Sequence, residues 1–168
     1  MTRNILFRGK RIDNGAWVEG FYSKLYYEET GKEQSIITHQ YFYPADMSYP
    51  YPHVSTVNSE VVEETVGQFT GIEAKNHKTN LSSKIFEGDI FRGLNDKDIK
   101  VYYVVMWIDK LASFYMIPSE HYYYVLINNN DSKPNKIDSL LDEAMLFDFS
   151  VDCYLMKVGN VHDNKELI

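Results

Sequence analysis

The feature that most constrains the fold is a nearly uninterrupted apolar run, VYYVVMWI, at Val101–Ile108. A strand with one face in water alternates apolar and polar residues, so this run predicts a central strand that is covered on both faces. Phe114–Ile117 is the expected hairpin partner, across a turn at Asp109–Ser113.

The N-terminal third reads as further strands. Ile5–Phe7 and Ala16–Tyr22 flank Asp13-Asn14-Gly15, and Asn-Gly supplies the positive φ values of a tight hairpin turn. Ser35–Phe42 offers a third strand. Together these segments predict an N-terminal β region.

The later part of the chain mixes strand and helix patterns. Tyr122–Ile127 is a strand candidate because of its aromatic and β-branched residues. An apolar stripe with helical spacing predicts one short helix, and it consists of Ile137, Leu140, Leu141, Ala144 and Met145. Alternation over Phe147–Leu155 then predicts a half-buried strand, which would turn Cys153 inward.

These patterns predict a β-rich α+β protein. It would have an N-terminal β region and a small barrel-like antiparallel sheet, from residue 85 to 161, with one short helix. A chain of 168 residues is long enough for one domain with a substantial core. Its 14 Tyr and 9 Phe suit both pleated sheets and binding surfaces.

The stretch Glu64–Phe91 contains three glycines, each of which is expected to mark a bend in the chain. Gly67, Gly71 and Gly88 stand beside strand-favouring or turn-favouring residues, where a chain can take a positive φ. Apolar residues bracket a polar connector on both sides. The pattern predicts a loop that is pinned between two core segments.

This stretch also carries a resemblance. ETVGQFTGIEAKNHK, followed by FEGDIF, resembles the signature of the YopX family of small phage and prophage proteins. ILFRGKRIDNGAWVEG, VVMWIDKLASF and KVGNVHDNKELI agree in order along the chain. The resemblance implies a single YopX-like domain over residues 1–168 with a β-rich, barrel-containing fold, and it brings no activity or catalytic residues. Tyr41–His53 and Tyr122–Leu146 depart from the family pattern.

The departure at Tyr41–His53, YFYPADMSYPYPH, is rich in tyrosine and proline. Proline removes hydrogen-bond donors, so the insert is expected to be an irregular loop. The composition favours a lid folded over the protein's own core. The alternative is an interaction loop that presents its aromatic side chains to a partner, namely Tyr43, Tyr49, Tyr51 and His53.

The net charge, the single cysteine and the length of the apolar runs exclude several classes of function. The net charge of −7 argues against nucleic-acid binding, and the basic group of Arg3, Arg8, Lys10 and Arg11 is expected to be a solvated edge. The single cysteine suits a reducing compartment, and no run is long and apolar enough for a membrane helix. We therefore expect a protein of the bacterial cytoplasm that makes no membrane contact.

Motifs of catalysis and metal binding are missing from the sequence. It contains no Gly-rich phosphate loop, nucleophile elbow or paired Cys-x-x-Cys, and its five histidines share no ligand spacing. No cofactor and no metal are therefore predicted.

These observations favour a non-enzymatic binding or assembly module of phage or prophage type. Its partner would be a second copy of the chain or a host or phage protein. One alternative is a small-ligand binder or enzyme with a pocket near Glu87, Asp89, Trp107 and His121. Another is an acidic nucleic-acid mimic that inhibits a host DNA-binding enzyme.

Overall fold

The structure is a computed structural model that describes residues 5–45, 50–75, 82–94, 97–128, 145–146 and 155–168. The chain divides into two compact units, Met1–Phe69 and Thr70–Ile168. In chain order the strands are β1 (Phe7–Lys10), β2 (Trp17–Tyr27), β3 (Lys32–Tyr43), β4 (His53–Glu60), β5 (Gly67–Lys75), β6 (Ser82–Phe86), β7 (Asp89–Leu94), β8 (Lys100–Ile108), β9 (Ser113–Pro118), β10 (Met145–Leu146) and β11 (Met156–Asn160), and an α-helix, α1, spans Tyr122–Asn128. The predicted β-rich α+β class is confirmed.

In the first unit the strand order is β4-β3-β2-β1-β5. The predicted hairpin of β1 and β2 is confirmed, but its turn is wider than an Asn-Gly turn. Gly15 has a φ of +69°, and the Asn14 side-chain oxygen accepts a 2.9 Å hydrogen bond from the Ala16 N–H. Only the glycine of the pair takes the left-handed conformation, because the Asn14 side chain caps the turn instead.

Strand β2 changes partner at Gly20. Its first half pairs with β1, and its second half pairs with β3 from Phe21 onward. A methyl group at Gly20 would come within 2.1 Å of the Thr38 carbonyl oxygen. Glycine is therefore required where β3 approaches the β2 backbone.

The core of the first unit lies against β1. Ile37 and Val61 are almost fully buried, and both pack directly over Gly9. Directly after β4, Val61 forms an isolated β-bridge with Arg11, the residue that follows β1.

The expectation of a solvated basic edge is wrong for Arg8, which is buried. Its guanidinium carbon lies 4.8 Å from the centroid of the Trp17 ring, and the Lys10 ammonium lies 5.5 Å from the same ring. Residues two apart on a strand share a face, so these two cations sit together over one indole. Arg3 lies outside the described residues.

In the second unit the order is β10-β9-β8-β7-β11, and β8 is the predicted central strand. Alternate residues of β8 enter two hydrophobic clusters. Val104, Met106 and Ile108 belong to one, and Val105 belongs to the other, with Phe114 and Met116 of β9. The prediction of a strand covered on both faces is confirmed.

The predicted barrel is wrong in one respect, because the sheet is open. Among the described residues β10 and β11 form its two edges and do not pair with each other. The C-terminal residues Leu167 and Ile168 pack on the first cluster.

Two secondary-structure predictions need correction. Tyr122–Ile127 is helical rather than extended, because Val125 is fully buried in the first cluster and packing overrides a weak strand preference. Met145, the last residue of the predicted helical stripe, belongs to β10. The rest of that stripe and Phe147–Tyr154, including Cys153, lie outside the described residues.

Most of the described part of Glu64–Phe91 is strand, and residues 76–81, in the polar connector that was predicted to be a loop, lie outside the described residues. Gly71 and Gly88 have the expected positive φ values of +89° and +79°. Gly67 makes no bend, since it lies in β5 opposite Arg8. In the second unit β5 continues beside β6, where the Thr70 hydroxyl donates a 3.0 Å hydrogen bond to the Ile85 carbonyl.

Candidate functional site

The two ends of the aromatic insert are strands, so the irregular segment is shorter than predicted. β3 runs to Tyr43 and β4 begins at His53, and these two residues are paired directly in the ladder. Tyr41 is paired with Ser55 in the same way. The predicted irregular segment can therefore span no more than residues 44–52, of which the structure describes 44, 45 and 50–52, and the strands determine where the neighbouring aromatic rings point.

Three rings at the end of this hairpin form a continuous stack, which we call the aromatic ladder: Tyr41, Tyr43 and His53. The Tyr41 and Tyr43 ring centroids are 4.7 Å apart in an edge arrangement. The Tyr43 and His53 rings are parallel within 10°, with centroids 5.1 Å apart. Such pairs contribute about 0.5–1.5 kcal/mol beyond their area burial. The ladder is therefore ordered without help from a partner.

The described aromatic residues of the insert are not covered by the protein's own core. Tyr41 and Tyr43 are exposed, and Tyr51 is 80% exposed. The favoured prediction of a lid is therefore wrong for the part of the insert that the structure describes. Tyr49, which was predicted together with them, lies outside the described residues.

An ion pair between Arg11 and Asp13 lies at the turn that joins β1 to β2. Arg11 donates hydrogen bonds from two guanidinium nitrogens to the carboxylate of Asp13, at 2.9 Å for Nε to Oδ1. The hydrogen bond to Asp13 is the main cause that raises the pKa of Arg11, and Tyr41 adds to it. The same bond lowers the pKa of Asp13. Tyr41 of the ladder is thus within electrostatic reach of this charged fork.

Asp89, predicted as a pocket residue, is fully buried. Its Oδ2 accepts a 2.9 Å hydrogen bond from the Phe86 N–H and lies 2.7 Å from the Lys157 ammonium nitrogen. Lys157 also donates to the Lys84 carbonyl at 3.2 Å. The carboxylate of the FEGDIF motif therefore joins the β6–β7 turn to β11.

Glu87 and Trp107 are brought together by a 3.2 Å hydrogen bond from the Trp107 N–H to Glu87 Oε1. The Trp107 indole donates to Asp109 at 2.9 Å, and its ring meets Phe114 edge-on at 5.0 Å. Trp107 thus packs against the second hydrophobic cluster on one face of the sheet. His121 is the fourth residue of the predicted pocket. Its Nε2 atom lies 3.6 Å from a carboxylate oxygen of Glu120.

Sequence reasoning missed a turn built on Asn160. Its Oδ1 accepts hydrogen bonds from the N–H groups of His162 and Asp163, at 2.9 and 3.0 Å, and its Nδ2 donates to the Asp163 carboxylate at 2.7 Å. The next residue, Val161, bonds to the Gly88 carbonyl. The turn and this hydrogen bond therefore connect KVGNVHDN to FEGDIF, two of the segments that carry the resemblance.

Within the described ranges, no three His, Cys, Asp or Glu side chains converge in a group that could hold a metal ion. Of the helices described, none has both the length and the apolar character to cross a membrane.

A family model described as YopX protein matches residues 6–138, which include every strand from β1 to β9 and helix α1. The C-terminal anchor at Lys157–Ile168 lies beyond the matched range. No curated protein and no solved structure matches the chain. Because the matched residues make up well over half of the sequence, the chain belongs to the YopX family.

Proposed function

We propose that this protein is a phage-type, non-enzymatic binding module of the bacterial cytoplasm. Its contact site for a host or phage protein would be the aromatic ladder together with Tyr51. One observation carries the proposal, which is the exposure of an ordered aromatic stack at the end of a hairpin.

Aromatic side chains supply most of the binding energy at many protein interfaces, because they bury a large area and lose little rotamer freedom. The ladder has a further advantage. Tyr43 is already held between Tyr41 and His53, so a partner would not have to order it on binding. The Arg11–Asp13 pair, within electrostatic reach of Tyr41, would contribute to the polar rim that surrounds a typical apolar interface centre.

The test compares full-length variants in quantitative pull-downs from host and phage-infected lysates, followed by titration of each purified protein that is retained. Tyr43→Ala and Tyr51→Ala remove ladder and loop rings. Tyr26→Ala is the matched control, because Tyr26 is also a well-exposed tyrosine. It lies in β2 and is paired with Glu33, at the end of β3 that is far from the ladder.

The expected result is a protein that binds the wild type and the Tyr26→Ala variant, with at least tenfold weaker binding to each test variant. This corresponds to about 1.4 kcal/mol or more, the loss expected for a contributing aromatic side chain. Circular dichroism melting curves check that the variants fold. If the test variants and the wild type bind the same proteins with equal affinity, the ladder is not the contact site.

A further inference from the structure

Strand β4 lies at one edge of its sheet and pairs with β3 on its inner side. Directly after β4, the Val61 N–H donates a 2.9 Å hydrogen bond to the carbonyl of Ser35, which is the next residue opposite it in the register of the two strands. Bonded and non-bonded pairs alternate in an antiparallel ladder. The odd-numbered residues of β4 therefore bond to β3. The even-numbered residues, Val54, Thr56 and Asn58, point their N–H and C=O groups away from the sheet.

One end of this outer side already pairs with an extended segment of the chain. The Glu60 carbonyl accepts a 3.1 Å hydrogen bond from the Ile12 N–H, and the Val62 N–H donates a 2.8 Å bond to the Lys10 carbonyl. Both bonds agree with the outward direction of the even-numbered residues. Within the described ranges, no backbone hydrogen bond reaches the outward groups of the three earlier even-numbered residues of β4. Strand pairing on the outer side thus stops after its first step.

β4 lacks the features that usually prevent an edge strand from pairing, which are charged residues, proline, a bulge or a very short strand. It has eight residues, and its register with β3 is continuous from His53 to Glu60. Val54–Ser59 contains neither proline nor a charged residue. The edge strand β11 differs, because its register shifts between Lys157 and Gly159. The outer side of β4 is therefore a ready template for a further strand.

The side chains along this edge are also accessible. Val54 is 58% exposed, and Thr56 and Asn58 are exposed with it. Phe42, which is paired with Val54, is 61% exposed. A residue of an added strand that lay beside Val54 would cover this apolar pair, which favours a β-branched or apolar side chain there.

We propose that the partner of this protein binds by adding an extended, uncharged segment as a further strand along the outer side of β4. An extended backbone presents N–H and C=O groups at the spacing of this edge, so main-chain hydrogen bonds supply the affinity and the residue beside Val54 supplies selectivity. The inference rests on the proposed function, because it describes how the partner reaches the aromatic ladder. The added segment ends beside His53, which is stacked on Tyr43 in the ladder.

The probe is a synthetic peptide in which valine and threonine alternate, with a lysine at each end because the protein has a net charge of −7. It is titrated into the isotope-labelled, full-length protein up to about 1 mM, the weak end of specific affinities. Saturable shifts of the amide resonances of Val54, Thr56 and Asn58 are expected, together with slower hydrogen exchange of these amides. A fully N-methylated peptide is expected not to bind, because it has no backbone donors.

Thr56→Pro and Thr56→Val form a matched pair of variants. The Thr56 N–H points outward, so proline removes a donor of the open edge without removing a bond to β3, whereas valine keeps the donor. Thr56→Pro is expected to bind the peptide about tenfold more weakly than Thr56→Val, which should bind like the wild type. Circular dichroism melting curves check that both fold. Val54→Pro replaces Thr56→Pro if that variant is unfolded.

Three results would overturn the inference: no binding of the peptide, equal binding by Thr56→Pro and Thr56→Val, or outward amides that are already protected from exchange in the free protein. In the last case, sedimentation at twice the chain mass would identify a second copy as the added strand. Tyr43→Ala separates this inference from the proposed function, because it should weaken binding of the partner protein and leave the peptide bound. If partner binding depends on Tyr43 and the peptide does not bind, the ladder remains the contact site and strand addition fails.

Discussion

The buried carboxylate of Asp89 lies 2.7 Å from the ammonium group of Lys157, and this pair connects two segments that are far apart in the sequence. Asp89 starts β7 immediately after the β6–β7 turn, and Lys157 is in the neighbouring strand β11. Because Asp89 also caps the Phe86 N–H, one side chain determines both the turn and the strand pairing.

Removing either charged partner of this pair is expected to destabilise the protein, but by different amounts. Lys157→Met leaves a carboxylate buried without its cation and should cost about 3 kcal/mol. Asp89→Asn should cost less, since the amide oxygen can still accept the Phe86 N–H and Lys157 is partly exposed to water. Urea denaturation measures both, with the exposed Asp13→Asn as control. Equal losses from the two changes would contradict the buried-charge explanation.

Gly88→Ala is expected to lower stability by about 2 kcal/mol, because a left-handed residue with a side chain is strained and the new methyl group would lie 3.2 Å from Val161. Gly15→Ala is the matched control, since Gly15 has a similar φ of +69° with nothing within 4 Å of the added carbon. It should show the backbone strain alone, about 1 kcal/mol. Thermal unfolding of both variants would reveal the difference, and similar losses would mean that Val161 is not crowded.

Gly20→Ala should disrupt the pairing of β2 and β3, since the added carbon would overlap the Thr38 carbonyl oxygen at 2.1 Å. We expect a loss of about 3 kcal/mol, because a backbone atom cannot move aside. Gly9→Ala is the control within the same unit, where the nearest atoms are side-chain carbons of Ile37 and Val61 at 3.1 and 3.2 Å. Its loss in a urea titration should be the smaller one. The opposite order would refute the close approach at Gly20.

The raised pKa of Tyr122 predicts that the protein loses stability in alkaline solution. Burial, followed by the charges of Tyr123 and Glu87, raises the pKa of Tyr122 above its ordinary value of 10.0. The unfolded chain therefore loses this proton first, so the contribution is complete below pH 10.0 and declines as pH rises through that value toward the folded pKa. Tyr122→Phe should unfold with a shallower decline in urea midpoint above this pH. Tyr123→Phe is the control, and an identical decline in the wild type and the Tyr122→Phe variant would contradict the assignment.

The candidate site was only partly accessible from sequence. Composition alone singled out Tyr43, Tyr51 and His53, because aromatic residues and prolines are concentrated there. The stack of Tyr43 on His53 depends on the strand register, and a shift of one residue would move every side chain to the other face.

For the fold, sequence by itself determined the elements whose residues carry one consistent local signal. The apolar run of β8, the hairpin of β1 and β2 and the glycines at Gly71 and Gly88 are of this kind, because periodicity and backbone freedom act locally. Only the tertiary structure decided the others. Tyr122–Asn128 is helical because Val125 completes a buried cluster, and Arg8 is buried because Trp17 lies opposite Lys10 on the paired strand. Packing between distant residues outweighs weak local preferences, and those contacts exist only once the strands have paired.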